Sequence, residues 1–114
     1  MKEIIFGTCP SKSNCYRIAR GFMYKSKELQ QYEKSFALQC RQYRNKNIED
    51  NFEFNIDVYY PNNRSDLDNS LKVVLDCLQK CNAIKNDNKC VKITATKFID
   101  KEKPRIEFSI NQIN

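Results

Sequence analysis

Between Phe52 and Tyr60 the chain alternates without a break: Phe52, Phe54, Ile56, Val58 and Tyr60 are separated by Glu53, Asn55, Asp57 and Tyr59. A period of two puts every second side chain on one face, so this segment is a strand with one face in a core. Tyr60-Pro61-Asn62-Asn63-Arg64 then closes it with a turn, and the period changes. Leu67, Leu71, Val74, Leu75 and Leu78 recur every three or four residues, which is one stripe of a helix, and Ser65 or Asp66 is placed to cap it. The helix ends near Cys81-Asn82, where Asn accepts the left-handed conformation of a helix terminus. Val91, Ile93 and Ala95 next alternate with Lys92, Thr94 and Thr96 in another strand. Strand, helix and strand form a crossover unit whose strands run parallel if they are neighbours in one sheet.

The remaining segments fit around this unit. Lys2 to Thr8 carries Ile4, Ile5 and Phe6 and reads as a short strand. Ser26 caps a helix reaching to about Arg44, with Leu29, Tyr32, Phe36, Cys40 and Tyr43 as its core stripe. After a charged turn from Asp100 to Pro104, Ile106, Phe108 and Ile110 alternate with Arg105, Glu107 and Ser109 in a last strand, expected to pair antiparallel with its predecessor. Lys97, Lys101 and Lys103 read as a solvated hairpin tip. The expected fold class is α+β, a single domain over residues 1–114 with a mixed sheet of about four strands and two main helices. A chain of 114 residues has a modest core that a homodimer interface would extend.

Chemistry concentrates where the crossover helix begins. In Asp66-Leu67-Asp68-Asn69-Ser70-Leu71-Lys72, Asp68 and Lys72 are four apart and share a helix face, while Asp66 lies in the entering loop. Asp87 follows beyond the helix. Mg²⁺ takes oxygen ligands in octahedral geometry from one or two carboxylates, waters and substrate phosphate, which an Asp-x-Asp pair with a distant Asp supplies. Lys72 adds a point charge for a phosphate oxygen or leaving group. The same residues are also compatible with a capped helix carrying solvated acids and an i,i+4 ion pair.

Other chemistries lack their residues. The chain has no His, which removes imidazole-based zinc sites, Ser-His-Asp triads and Cys-His dyads. With only Gly7 and Gly21, neither a Walker A loop nor a dinucleotide fingerprint can be written, so no nucleotide cofactor is expected. A formal charge of +6 suits a polyanionic partner. No basic-then-apolar leader and no long apolar run is present, so a cytoplasmic protein without membrane contact is expected. In that compartment Cys9, Cys15, Cys40, Cys77, Cys81 and Cys90 are expected as buried or half-buried thiols. Residues 9–25 read as a basic loop, in which Lys12, Arg17, Arg20 and Lys25 are interleaved with Tyr16, Phe22 and Tyr24. Such a mixture suits phosphate contact and base stacking, or equally a surface loop with inward aromatics.

Tyr59-Tyr60-Pro61, Arg64 to Asn69, Lys72, Leu75-Asp76 and Asn86-Asp87, together with Pro10-Ser11-Lys12-Ser13-Asn14-Cys15-Tyr16-Arg17, resemble the RusA family of Holliday-junction resolvases. The likeness covers nearly the whole chain. It departs at Cys9-Pro10, where the family often has two prolines, at Asn86-Asp87, where it has two aspartates, and at Asn82, where it has glycine. The resemblance implies a magnesium-dependent endonuclease, with Mn²⁺ as a substitute ion, that cuts four-way DNA junctions as a homodimer in recombination and repair. Members occur often in phages and prophages. Asp66, Asp68 and Asp87 would be the essential acids and metal ligands, Lys72 the essential lysine, and Asn69 a supporting polar residue. Lys12, Asn14 and Arg17 would join Asn69 in holding DNA.

A simple crossover sets Asp66 and Asp87 at opposite ends of the helix. Either the loop from Asn82 to Asn88 folds back within one subunit, the expected arrangement, or a symmetric dimer supplies Asp87 from its second copy. Two other functions use the same composition: a non-catalytic nucleic-acid-binding module, and a small interaction protein with cysteine-bound zinc.

Overall fold

The computed structural model describes residues 1–11 and 14–113. Lys12, an expected phosphate contact, lies outside the described residues. In chain order the elements are β1 (Glu3–Phe6), β2 (Tyr16–Ala19), β3 (Phe22–Lys25), α1 (Lys27–Gln39), β4 (Phe52–Tyr60), α2 (Leu67–Lys80), β5 (Cys90–Ile99) and β6 (Arg105–Gln112), with a 3₁₀ turn at Asp87–Lys89 before β5. The main sheet has four strands in the order β1-β6-β4-β5, and β2 and β3 form a separate ribbon. This is the expected α+β class with two helices and a mixed sheet.

The alternation that defines β4 makes it an inner strand. Phe52, Phe54, Ile56, Val58 and Tyr60 are all buried, and the intervening side chains are half-buried. The strand pairs parallel with β5 and antiparallel with β6. The final strand therefore does not pair with its predecessor, as the hairpin reading of Asp100 to Pro104 anticipates; it lies between β4 and β1. Burial explains the placement. Ile106, Phe108 and Ile110 are buried and need helix cover on an inner strand, whereas Val91, Ile93, Phe98 and Ile99 leave β5 exposed along a sheet edge. The intervening turn passes the end of β4, where the Asp100 amide donates to the Tyr60 carbonyl at 2.8 Å.

Phe108 is the centre of the core. Its ring centroid lies 5.9 Å from Phe36 of α1, 5.7 Å from Tyr43 and 5.9 Å from Phe54 of β4. Truncation here empties a site shared by helix and sheet, so Phe108→Ala should lower the unfolding free energy by about 3–5 kcal/mol. Urea unfolding measures this; a change under about 1 kcal/mol would show that the site collapses around the loss.

Ser26 caps α1 as its position predicts, its Oγ accepting the Leu29 amide at 3.1 Å. The helix stops at Gln39, short of Arg44, because Cys40 leaves helical geometry at ψ 71°. Tyr43 nevertheless stays buried, its hydroxyl accepting the Ile110 amide at 3.1 Å. The turn after α2 uses Asn82 at φ +59°, the left-handed position expected of it.

The basic loop is partly a hairpin. Tyr16–Ala19 and Phe22–Lys25 pair antiparallel, and Arg20 and Gly21 turn the chain at φ +54° and +79°. Two successive positive φ values mark the tight connection whose twist matches a hairpin, and glycine takes the second without a Cβ clash. Five cysteines are buried and Cys90 is half-buried, so the thiols line the core as expected. Burial pushes the Cys9 thiol up to about 11, far from a reactive thiolate. Among the described residues no helix is long and apolar enough to cross a membrane.

Candidate active site along the second helix

The start of α2 is pinned from beneath. Tyr60, the buried last residue of β4, donates its hydroxyl hydrogen to the Asp66 carbonyl at 3.2 Å and shares a short hydrogen bond with Ser70 Oγ. Burial raises the Tyr60 phenol above its ordinary value, so the hydroxyl remains a donor at neutral pH. Lys97 reaches the same turn from β5. Its Nζ donates to the Ser65 carbonyl at 2.6 Å and lies 5.6 Å from the centroid of the Tyr60 ring. Lys97 is thus not part of a hairpin tip: it pairs in register with Val58, inside the strand. Its removal leaves a half-buried carbonyl without its donor, so Lys97→Met should cost about 1–2 kcal/mol in urea unfolding. An unchanged midpoint would mean that water replaces the ammonium.

Asp66 is the N-cap residue of α2, extended at φ −86° and ψ 140°, yet its carboxylate makes no capping bond. It is exposed, as is Asp68 in the first turn, where a negative charge also suits the helix dipole. Spacings of four, four and three then set Asp68, Lys72, Asp76 and Gln79 on one face of α2. That face lines a cleft of about 520 Å³ whose other wall includes Leu29 and Glu33 of α1 and Tyr16 and Lys25 of the ribbon.

Asp87 comes back to this helix within the same chain. Its Oδ2 lies 2.7 Å from Lys72 Nζ, and its amide donates to Gln79 Oε1 at 2.7 Å. Asn86 caps the 3₁₀ turn by accepting the Asn88 amide at 3.0 Å. Lys72 also meets Asp76 at 3.2 Å. The hydrogen bond that Lys72 donates to Asp87, then that to Asp76, raises its ammonium above the ordinary value, so it is cationic throughout the neutral and mildly alkaline range. The loop therefore folds back only partly: its backbone at Asp87 meets Gln79 in the last turn of α2, and the Lys72 side chain reaches to the Asp87 carboxylate. The structure joins Asp87 to Lys72, and Asp68 to Lys72 through the shared cleft. It does not gather the three aspartates: among the described residues, no three His, Cys, Asp or Glu side chains converge to hold a metal.

Asn69 is half-buried and lines both this cleft and a neighbouring one of about 680 Å³, walled by Pro10, Ser11, Asn14, Pro61 and Arg64. Asn14 thus stands in the second cleft, with its carbonyl taken by Ser26 Oγ. Arg17 lies on β2 with its guanidinium 3.7 Å from Glu28. Sequence reasoning missed Gln79, Ser70, Tyr60 and Lys97 as supports. Only the polar Gln79 on the Lys72 face gave a signal, through its helical spacing.

The donor chemistry suits a hard cation. Asp66 and Asp68 offer exposed carboxylates two residues apart, neither of them held in an ion pair among the described residues, and carboxylate oxygen is the ligand type of Mg²⁺ and Mn²⁺. The profile of a family described as endodeoxyribonuclease RusA matches residues 7–111. The chain belongs to the RusA family. A RusA protein is a Holliday-junction resolvase, a hydrolase that acts on branched DNA with a divalent metal. The match spans the ribbon, all of α2 and the lining of both clefts except Phe6. Comparison with curated protein sequences finds no match.

Proposed function

We propose that this enzyme resolves four-way DNA junctions in recombination and repair by paired cuts, with Mg²⁺ held by Asp66 and Asp68 and joined by Asp87 when that carboxylate exchanges its Lys72 contact for the ion, and Mn²⁺ able to replace it. The observation that carries this reading is the return of Asp87 to Lys72 on the helix face that also bears Asp68, in a chain of the RusA family. Bound there, the metal supplies a Lewis acid for the phosphodiester and an activated water. The chain's own contributions are distinct. Lys72, kept cationic by two acids, faces charge that grows on the phosphate or leaving oxygen. Asn69 offers an amide between the two clefts, Asn14 stands in the second of them, and Lys12 and Arg17 serve as further phosphate contacts.

The whole chain acts as one catalytic domain, and a homodimer fits the task because a junction presents two equivalent strands to two equivalent sites. A binding module has no use for acids on a surface facing phosphate unless a cation lies between them. The deciding experiment incubates a labelled four-way junction with the protein and Mg²⁺. Two nicked duplexes are expected. Tight binding without product, over a range of Mg²⁺ and Mn²⁺ concentrations, would mean a binding module instead.

A further inference from the structure

We infer that the β2–β3 ribbon is a second DNA-contact element, which lays apolar side chains on bases left unstacked where the duplexes part. This rests on the junction reading above. The ribbon has an unusual surface for a small basic protein. Ile18 is 76% exposed, Met23 68% and Phe22 67%, and no residue of β2 or β3 is buried. The register pairs Tyr16 with Lys25, Arg17 with Tyr24, Ile18 with Met23 and Ala19 with Phe22. Residues directly opposite share a side of the ribbon, and sides alternate along each strand. One side therefore carries Tyr16, Lys25, Ile18 and Met23 in sequence from base to tip.

That side is continuous with the site. Tyr16 and Lys25 line the cleft of Asp68 and Lys72, so Ile18 and Met23 extend the cleft wall outward. The base is fixed on α1, with Lys25 Nζ 3.0 Å from Glu33 Oε2. A contiguous apolar surface of this kind marks a contact with something that covers it. Charge selects the occupant. From Asn14 to Lys27 the chain has Arg17, Arg20, Lys25 and Lys27 and no acid. Glu28 of α1 meets Arg17 and Glu33 meets Lys25, so the ribbon itself keeps a net positive charge through Arg20; a second copy docking ribbon to ribbon would bring like charges together, whereas DNA supplies phosphates for the cations and base faces for the apolar groups.

An intact duplex hides its base faces in the stack, and a branch point uncovers them. Apolar side chains at such a step, and stacking on exposed bases, are established modes of contact. The ribbon would thereby favour branched over linear DNA.

The test places 2-aminopurine at the branch point and measures binding in EDTA, with a linear duplex of the same sequence as reference. Wild type should raise the fluorescence on binding. Ile18→Ser with Met23→Ser should lose that rise, and its preference for junction over duplex should fall about tenfold, the scale of one lost base stack. Met23→Ala, made separately, should lower the same preference and keeps the test open if the double variant misfolds. Unchanged preference and fluorescence, with wild type still cutting the junction in Mg²⁺, would overturn the ribbon proposal alone. A variant that changes its mass in solution without changing fluorescence would assign the patch to a second copy and overturn it too. A wild type that neither cuts nor prefers the junction would remove the reading on which the ribbon rests.

Discussion

Asp68→Asn should bind a four-way junction about as tightly as wild type and cut it about a hundredfold to a thousandfold more slowly. The substitution keeps the shape of the side chain and removes only its charge. Asp68 is exposed in the first turn of α2, where its favourable term with the helix dipole is about 0.3–1 kcal/mol, too small to unfold the protein. Losing a carboxylate beside the phosphate lowers repulsion toward DNA, so affinity should hold or rise slightly. The cleavage loss then reports chemistry alone. Band-shift and cleavage assays on one junction separate the two quantities, and cleavage within a few-fold of wild type would falsify the metal-holding role.

Lys72→Ala should lower the cleavage rate about a hundredfold while weakening junction binding much less. Lys72 is exposed and buries no core surface, so the fold tolerates its truncation. What changes is the charge of the cleft: Asp87 and Asp76 lose the ammonium 2.7 and 3.2 Å away, and the growing charge on phosphate loses its cation. Single-turnover rates against affinity decide the matter. Equal losses in both would make Lys72 an ordinary phosphate contact.

The crossover was legible because each part carried its own period. Phe52 to Tyr60 alternates, Leu67 to Leu78 recurs as a helix stripe, and the structure returns both with boundaries close to those expected. Periodicity reports which face is buried, however, and not which strand lies alongside. The Ile106, Phe108 and Ile110 pattern fits a hairpin partner of β5 as well as the inner strand it forms, and only the competition for helix cover decides. The ribbon escaped for the opposite reason: with neither face buried, Tyr16–Ala19 shows no alternation to read.

At the site, the i,i+4 relation of Asp68 and Lys72 was visible because a helix converts spacing into proximity. The return of Asp87 within one subunit was the expected arrangement, but the contacts that hold it were not legible. It depends on Gln79 taking the Asp87 amide and on Lys72 taking its carboxylate, contacts between an irregular loop and a helix that follow no period. Tyr60, Ser70 and Lys97 were hidden likewise, since they converge on the Ser65–Asp66 turn from three separate elements.

Those two Asp87 contacts make α2, rather than the loop, the ruler of the site. Asp68, Lys72 and Asp76 are fixed to one another by helical pitch, and Asp87 is registered to the same scale through Gln79 and Lys72. A tilt of α2 on the sheet would carry Asp68, Lys72 and Asp76 together, whereas Asp87 belongs to the turn that leads into β5. The distance from Lys72 to Asp87 is therefore the one inside the site that reports how α2 sits on its sheet.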